Sequence, residues 1–138
     1  MVKRKSRWSK HLSEKKARKL SKAICDHFDI PYCGIHYVKE LDGYDDETSG
    51  VYYDNNPPLI LVKRNCICQI GIVIHELCHH LEAKLYDSIL GDSEHGKNYQ
   101  KAKEKMVSWC RANISDKCNW YLVLKAKYNN HQMRNFHL

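Results

Sequence analysis

The sequence predicts an α+β fold in which a small three-stranded sheet packs on an N-terminal helix, a central helix and a following helix. Three observations predict it. Residues 33–62 break into short alternating or apolar segments separated by turn signals. Residues 9–28, 66–86 and 96–112 instead carry apolar side chains at three- and four-residue steps. At 138 residues the chain suffices for one core but not for two independent ones.

Each element follows from its own pattern. Ser9 to about Phe28 reads as helix, with Leu12, Leu20, Ala23, Ile24 and Phe28 as its stripe and Pro31 expected to end it. In residues 33–40, Ile35, Tyr37 and Lys39 alternate with His36, Val38 and Glu40, as in a strand. After an acidic turn from Asp42 to Glu47, which suits solvent better than a hard cation, Gly50-Val51-Tyr52-Tyr53 is a second strand. Asn55-Asn56-Pro57-Pro58 closes it with a strong turn signal. Leu59-Ile60-Leu61-Val62 is a third strand, apolar throughout and so expected to be buried on both faces. The central helix runs from about Cys66 to Tyr86, with Ile67, Ile70, Ile74, Leu77, Leu81 and Leu85 facing the core. A loop hinged at Gly91 leads to a helix from about Gly96 to Ala112, which uses Tyr99, Ala102, Met106 and Trp109 or Cys110. Trp120 to Leu124 reads as a strand, and a loose polar tail is expected from Asn129.

Charge is unevenly distributed. Ten of the 23 Lys and Arg residues fall within residues 1–22 against a single acid, Glu14, so the net charge of +7 belongs to an N-terminal arm. Clustered cations attach to phosphates electrostatically, so DNA is an expected partner of Lys3, Arg4, Lys5, Arg7 and Lys10. Trp8 among them would stack on an exposed base. The competing expectation is a solvated helix face. No apolar stretch is long enough to span a bilayer, and the basic start lacks the apolar core of a secretory signal. Seven cysteines without a pairing pattern suit reduced thiols in a cytoplasmic or nucleoid- or nucleus-associated protein.

Chemistry is most concentrated at His75-Glu76-Leu77-Cys78-His79. Helical residues four apart stack on one face, so His75 and His79 can aim at one cation while Glu76 stands beside it as a base. Residue frequencies give this pattern a chance occurrence of roughly 0.03 here, so context has to decide. A catalytic zinc site needs three protein ligands and one position for water. Glu82 lies on the same straight helix and would have to reach back along it. No glycine breaks the chain between His79 and Gly91, so the third ligand should come from a later element. The candidates are His95, Glu94 and Asp92, with His95 favoured because it stands at the start of the next helix. His80 is expected on a different face as a capping or surface residue, and Cys78 as a buried inert thiol. His11, His27, His36, His131 and His137 are isolated.

The Gly-Val-Tyr-Tyr strand, the apolar strand, His-Glu-Leu-Cys-His and the later His95-Gly96-x-x-Tyr99 together resemble the SprT-like (Spartan-type) zinc metallopeptidases over roughly residues 20–112. The resemblance implies a zincin-like fold and a single SprT-like domain over residues 1–138, one zinc ion bound by His75, His79 and His95, and Glu76 as catalytic base. Tyr99 would be a packing aromatic. Many family members continue into a four-cysteine zinc ribbon, but residues 113–138 hold one cysteine, Cys118, so no ribbon is expected within them. The expected activity is endopeptidase: a zinc-activated water attacks a peptide carbonyl, and Glu76 passes that water's proton to the leaving amine. Substrate would add as an extended strand, with residues 50–54 as the receiving edge. Two alternatives stand beside this reading. One is a nucleic-acid-binding protein with a structural, non-catalytic metal. The other is a repressor-cleaving regulatory metallopeptidase, which usually has an acidic third ligand.

Overall fold

The computed structural model describes residues 11–44, 48–66, 68–86, 96–118 and 120–121. The described elements are α1 (Glu14–Phe28), β1 (Gly34–Val38), β2 (Gly50–Tyr53), β3 (Leu59–Lys63), α2 (Gln69–Tyr86) and α3 (Lys97–Asn113), with a short 3₁₀ turn at Asp116–Cys118. The architecture is α+β, with three helices and one mixed sheet.

Local chemistry sets the ends of α1. The Ser13 side chain accepts a hydrogen bond from the Lys16 N–H at 3.1 Å, so the helix begins after Ser13 and not at Ser9. Leu12 precedes the cap and is still buried, which explains why it joins the apolar pattern without being helical. At the other end Asp29 adopts the left-handed conformation (φ 55°), which Asp tolerates better than most residues. The Ile30 N–H returns to the Cys25 carbonyl at 3.0 Å, so α1 is closed before Pro31 is reached.

The strand order is β1-β3-β2. β1 runs parallel to β3, with Ile35 opposite Ile60 and Tyr37 opposite Val62. β2 runs antiparallel to β3, with Gly50 opposite Val62 and Tyr52 opposite Ile60. In the central strand Ile60 and Val62 are fully buried, whereas Leu59 and Leu61 are half-buried. Burial on both faces therefore holds only in part: helices cover one face of the strand more completely than any described element covers the other.

The two sheet edges are treated differently. α1 caps the outer edge of β1: Arg18 Nε donates to the Ile35 carbonyl at 3.0 Å, and Glu14 Oε2 accepts the Tyr37 N–H at 3.1 Å. Glu14 and Arg18 also pair with each other at 2.9 Å. Such side-chain caps remove an edge from further strand pairing. Among the described residues, no strand pairs with the outer edge of β2.

The core joins Ala17, Leu20 and Ile24 of α1, Ile35, Ile60 and Val62 of the sheet, Ile70, Val73, Ile74, Leu77 and Leu81 of α2, and Ala102, Met106 and Cys110 of α3. Each large aliphatic side chain buried this way contributes about 1.5–3 kcal/mol. α2 is the most enclosed element, packing on α1, β2, β3 and α3. Its pattern continues through Leu85, but that residue lies in the last turn and is exposed, as is Lys84 before it. All seven cysteines are buried free thiols. Burial pushes the Cys66 thiol up to about 11 and the Cys33 and Cys78 thiols higher still, so they behave as apolar groups.

The expected strand at residues 120–124 is not borne out where it is described. Trp120 lies in a turn, buried, and Tyr121 is helical, while residues 122–124 fall outside the described residues. No described helix is long and apolar enough to cross a membrane.

Candidate metal centre and active site

α2 brings His75, Glu76 and His79 together as the spacing predicts. The two imidazole centroids lie 5.2 Å apart with ring planes at 81°, an edge-to-face pair. Glu76 Oε2 is 3.9 Å from His75 Nε2. The position of the three side chains is deeper than the sequence suggests: His75 is 7 % exposed, Glu76 8 % and His79 4 %. Burial strengthens electrostatic interactions at the site and restricts the water that can reach it.

Each ring has an oxygen near its Nδ1. For His75 it is the Tyr99 hydroxyl of α3, at 3.2 Å. For His79 it is Glu82 Oε1, one turn further along α2, at 3.8 Å. The second distance is too long for a hydrogen bond. Glu82 is 4 % exposed, and its Oε1 has no hydrogen-bond partner among the described residues. The Tyr99 ring lies 4.7 Å from that of His79, so α3 covers both histidines with a single side chain. Burial is the main reason that the Tyr99 phenol is held well above its ordinary pKa and stays protonated.

β2 forms the wall beside Glu76. A Cβ at Gly50 would fall 2.5 Å from Ile72 Cγ2 and 3.2 Å from Glu76 Cγ. Only glycine allows this approach of the strand backbone to the glutamate, so Gly50 belongs to the site by virtue of its missing side chain.

His80 corrects the sequence reading. It is neither capping nor on the surface but completely buried, because α2 is covered on almost every side. Its Nε2 donates to the Pro31 carbonyl at 2.7 Å, and its Nδ1 lies 2.9 Å from the Tyr52 hydroxyl. Burial lowers its pKa below the ordinary 6.5, which favours the neutral ring. The Tyr52 hydroxyl is also 3.2 Å from Asp54 Oδ1, which pairs with Lys84 at 2.9 Å. Sequence reading missed this network because its members come from three separated segments.

The donor chemistry suits zinc. Imidazoles one helical turn apart, a neighbouring carboxylate that need not be a ligand, and outer oxygens at Nδ1 are what such a centre uses. The buried and unpartnered Glu82 Oε1 beside His79 fits the second of those outer positions. Glu82 would be placed to serve as an outer partner of His79 if a metal is held there. Among the described residues, no group of three or more His, Cys, Asp or Glu side chains is arranged to hold a metal ion. The expected third ligand, His95, and its alternatives Glu94 and Asp92 lie outside the described residues, as do Lys3, Arg4, Lys5, Arg7 and Lys10 of the basic arm. Compared with protein-family models, with curated proteins and with solved structures, the chain matches none.

Proposed function

We propose that this chain is a zinc-dependent endopeptidase of SprT-like type with a zincin-like arrangement of sheet and helix. One observation carries the reading: the His75–His79 pair and the Glu76 carboxylate share one buried face of α2, directly beside Gly50 of a strand whose outer edge pairs with no other described strand. His75, His79 and one of His95, Glu94 and Asp92, with His95 favoured, would hold the ion. When bound, zinc supplies Lewis acidity that makes a water reactive near neutral pH and polarises a carbonyl. Glu76 takes the water's proton and delivers it to the leaving amine. β2 receives the substrate as an added antiparallel strand, which sets the scissile carbonyl across from Glu76. The closed outer edge of β1 leaves β2 as the described strand suited to this.

Partner choice follows from charge. α1 leaves Lys15, Lys16 and Lys19 exposed and so extends the basic arm along a regular surface. Proteins associated with DNA are accordingly the proposed substrates, with the arm supplying non-specific attachment to phosphates.

Glu76→Gln tests the activity. The variant should bind zinc in the parent's stoichiometry and cleave an unstructured protein such as casein at least about 100-fold more slowly, given what general-base catalysis supplies. Equal cleavage by the variant would remove Glu76 from its role. A parent chain that binds zinc but does not cut would favour the nucleic-acid-binding alternative with a structural metal.

A further inference from the structure

The peptide groups of β2 point alternately to its two sides. The Lys63 N–H donates to the Ser49 carbonyl at 2.8 Å, and the same register sets Val51 opposite Leu61 and Tyr53 opposite Leu59. Hydrogen-bonded and non-hydrogen-bonded positions alternate in an antiparallel pair, so Val51 and Tyr53 direct their peptide groups to β3. Gly50 and Tyr52 direct theirs to the outer edge, where no described strand pairs with them. An antiparallel strand added there bonds to Gly50 and Tyr52. It faces Val51 and Tyr53 at non-hydrogen-bonded positions, which bring side chains closest.

Side chains alternate as well. Tyr52 is buried and reaches His80 of α2, so Tyr53 stands on the opposite face of the sheet. There its hydroxyl lies 3.3 Å from that of Tyr44. The segment that presents Tyr44 is a defined turn. Its N–H returns to the carbonyl of the buried Leu41 at 3.2 Å, and Gly43 takes the positive φ (86°) that the third residue of a type II turn requires. Although held in this way, Tyr44 is 43 % exposed. Asp54, the charge next to Tyr53, turns back to α2 and pairs with Lys84. Two phenol rings from separate segments therefore meet beside the outer edge of β2, a residue type suited to partly wet contacts.

We propose that Tyr44 and Tyr53 are specificity-determining residues that seat a large apolar or aromatic side chain of an extended peptide added to β2. The direction of the strands assigns that side chain. An antiparallel peptide runs backward along β2, so its residue facing Tyr53 comes three before its residue facing Gly50. Gly50 lies beside Glu76, so the residue facing Gly50 carries the scissile carbonyl. The inference rests on the proposed function for the position of the cleaved bond and on the strand alone for binding.

The test uses the full zinc-loaded chain with Glu76→Gln, so that no peptide is consumed, alone and with Tyr44→Ser, Tyr53→Val or Tyr53→Phe added. The probes are unstructured peptides of Ser and Thr that differ only in one Phe or Ala, and fluorescence anisotropy gives their dissociation constants. With both tyrosines present, the Phe peptide should bind about three- to tenfold more tightly than its Ala twin. Tyr44→Ser and Tyr53→Val should each bring that ratio toward one, whereas Tyr53→Phe keeps the ring and should keep the preference. A contact that merely ties the turn to the strand needs both hydroxyls, so Tyr53→Phe would then behave as Tyr53→Val does. In the active chain, Phe three residues before the one that carries the cleaved carbonyl should raise kcat/KM to a similar extent. Moving Phe by one residue turns it to the other face and should cancel the gain. Equal binding of the two peptides, a preference that survives both Tyr44→Ser and Tyr53→Val, or a gain at the shifted position overturns the proposal. A tyrosine-dependent preference in a chain that cuts no peptide would overturn the proposed function instead and leave the seat standing.

Discussion

The Tyr52 hydroxyl and His80 Nδ1 meet at 2.9 Å, joining the strand beside the candidate site to the helix that carries it. His80 directly follows His79, so this bond fixes the position of β2 relative to the two histidines. The Pro31 carbonyl can only accept, so Nε2 carries the proton of the neutral His80 ring, and Nδ1 is left as an acceptor that shares the single Tyr52 hydroxyl proton with Asp54 Oδ1. The sheet, the segment after α1 and the central helix are thereby tied at one buried imidazole.

Tyr52→Phe should therefore destabilise the chain more than an ordinary loss of a hydroxyl. It removes the donor to a nitrogen that has no water to turn to, and an unpaired buried acceptor costs about 1–3 kcal/mol. Urea unfolding at pH 7.5 would measure it, and the slope with denaturant should stay unchanged. A loss well below about 0.5 kcal/mol would mean that His80 finds another donor and that the strand is held elsewhere.

Asp54 gives the same region a dependence on acid. Its hydrogen bond with Lys84 holds its pKa below the ordinary 3.8. A carboxyl depressed on folding contributes stability that is present above the unfolded value and is lost as pH falls through the folded one. The Asp54 side chain is 41 % exposed, so solvent screening keeps the contribution below about 1 kcal/mol. The unfolding free energies of the parent and Asp54→Asn should differ by a constant amount from pH 5 to 7 and converge below pH 4. A gap that widens with acid would contradict the pairing.

Gly50 tests how closely the strand must approach Glu76. The Cβ of Gly50→Ala would press on Ile72 Cγ2, a branched methyl next to the helix backbone that cannot swing away as a chain end can. Overpacking of this kind costs about 1–3 kcal/mol. Because the same Cβ contacts the Glu76 stem, activity should fall further than stability explains, at temperatures where the variant remains folded. Full activity in a destabilised Gly50→Ala would show that the strand position matters to packing alone.

The sequence showed the arrangement of elements and the His75–Glu76–His79 triplet, because both are local. Turn residues bound the strands, and four-residue spacing places two rings on one helical face. Non-local features were not legible. Periodicity assigns a helix one apolar face, whereas α2 is enclosed by two helices and two strands, so polar residues off the stripe, His80 and Glu82, are buried as well. The contacts of Tyr52 with His80 and of Tyr99 with His75 span more than twenty residues, and no pattern in one chain announces them. The start of α1 was misread because Leu12 obeys the apolar rhythm while Ser13 sets the helix end.

Glu82 separates the requirements of folding from those of the site. Its carboxylate is buried, 3.8 Å from His79 Nδ1, with one oxygen lacking a hydrogen-bond partner among the described residues. Burying a carboxyl group with few described partners is costly, and under the proposed function Glu82 would draw the proton of a metal-binding ring. Glu82→Gln keeps the shape and an acceptor oxygen but removes the charge. The metal-free variant should accordingly be as stable as the parent or more so, while its zinc affinity should fall by about tenfold or more. Denaturant unfolding in the presence of a chelator and zinc competition measure the two effects separately. If the metal-free variant is destabilised and its zinc affinity is unchanged, Glu82 serves the interior of α2 and not the histidine beside it.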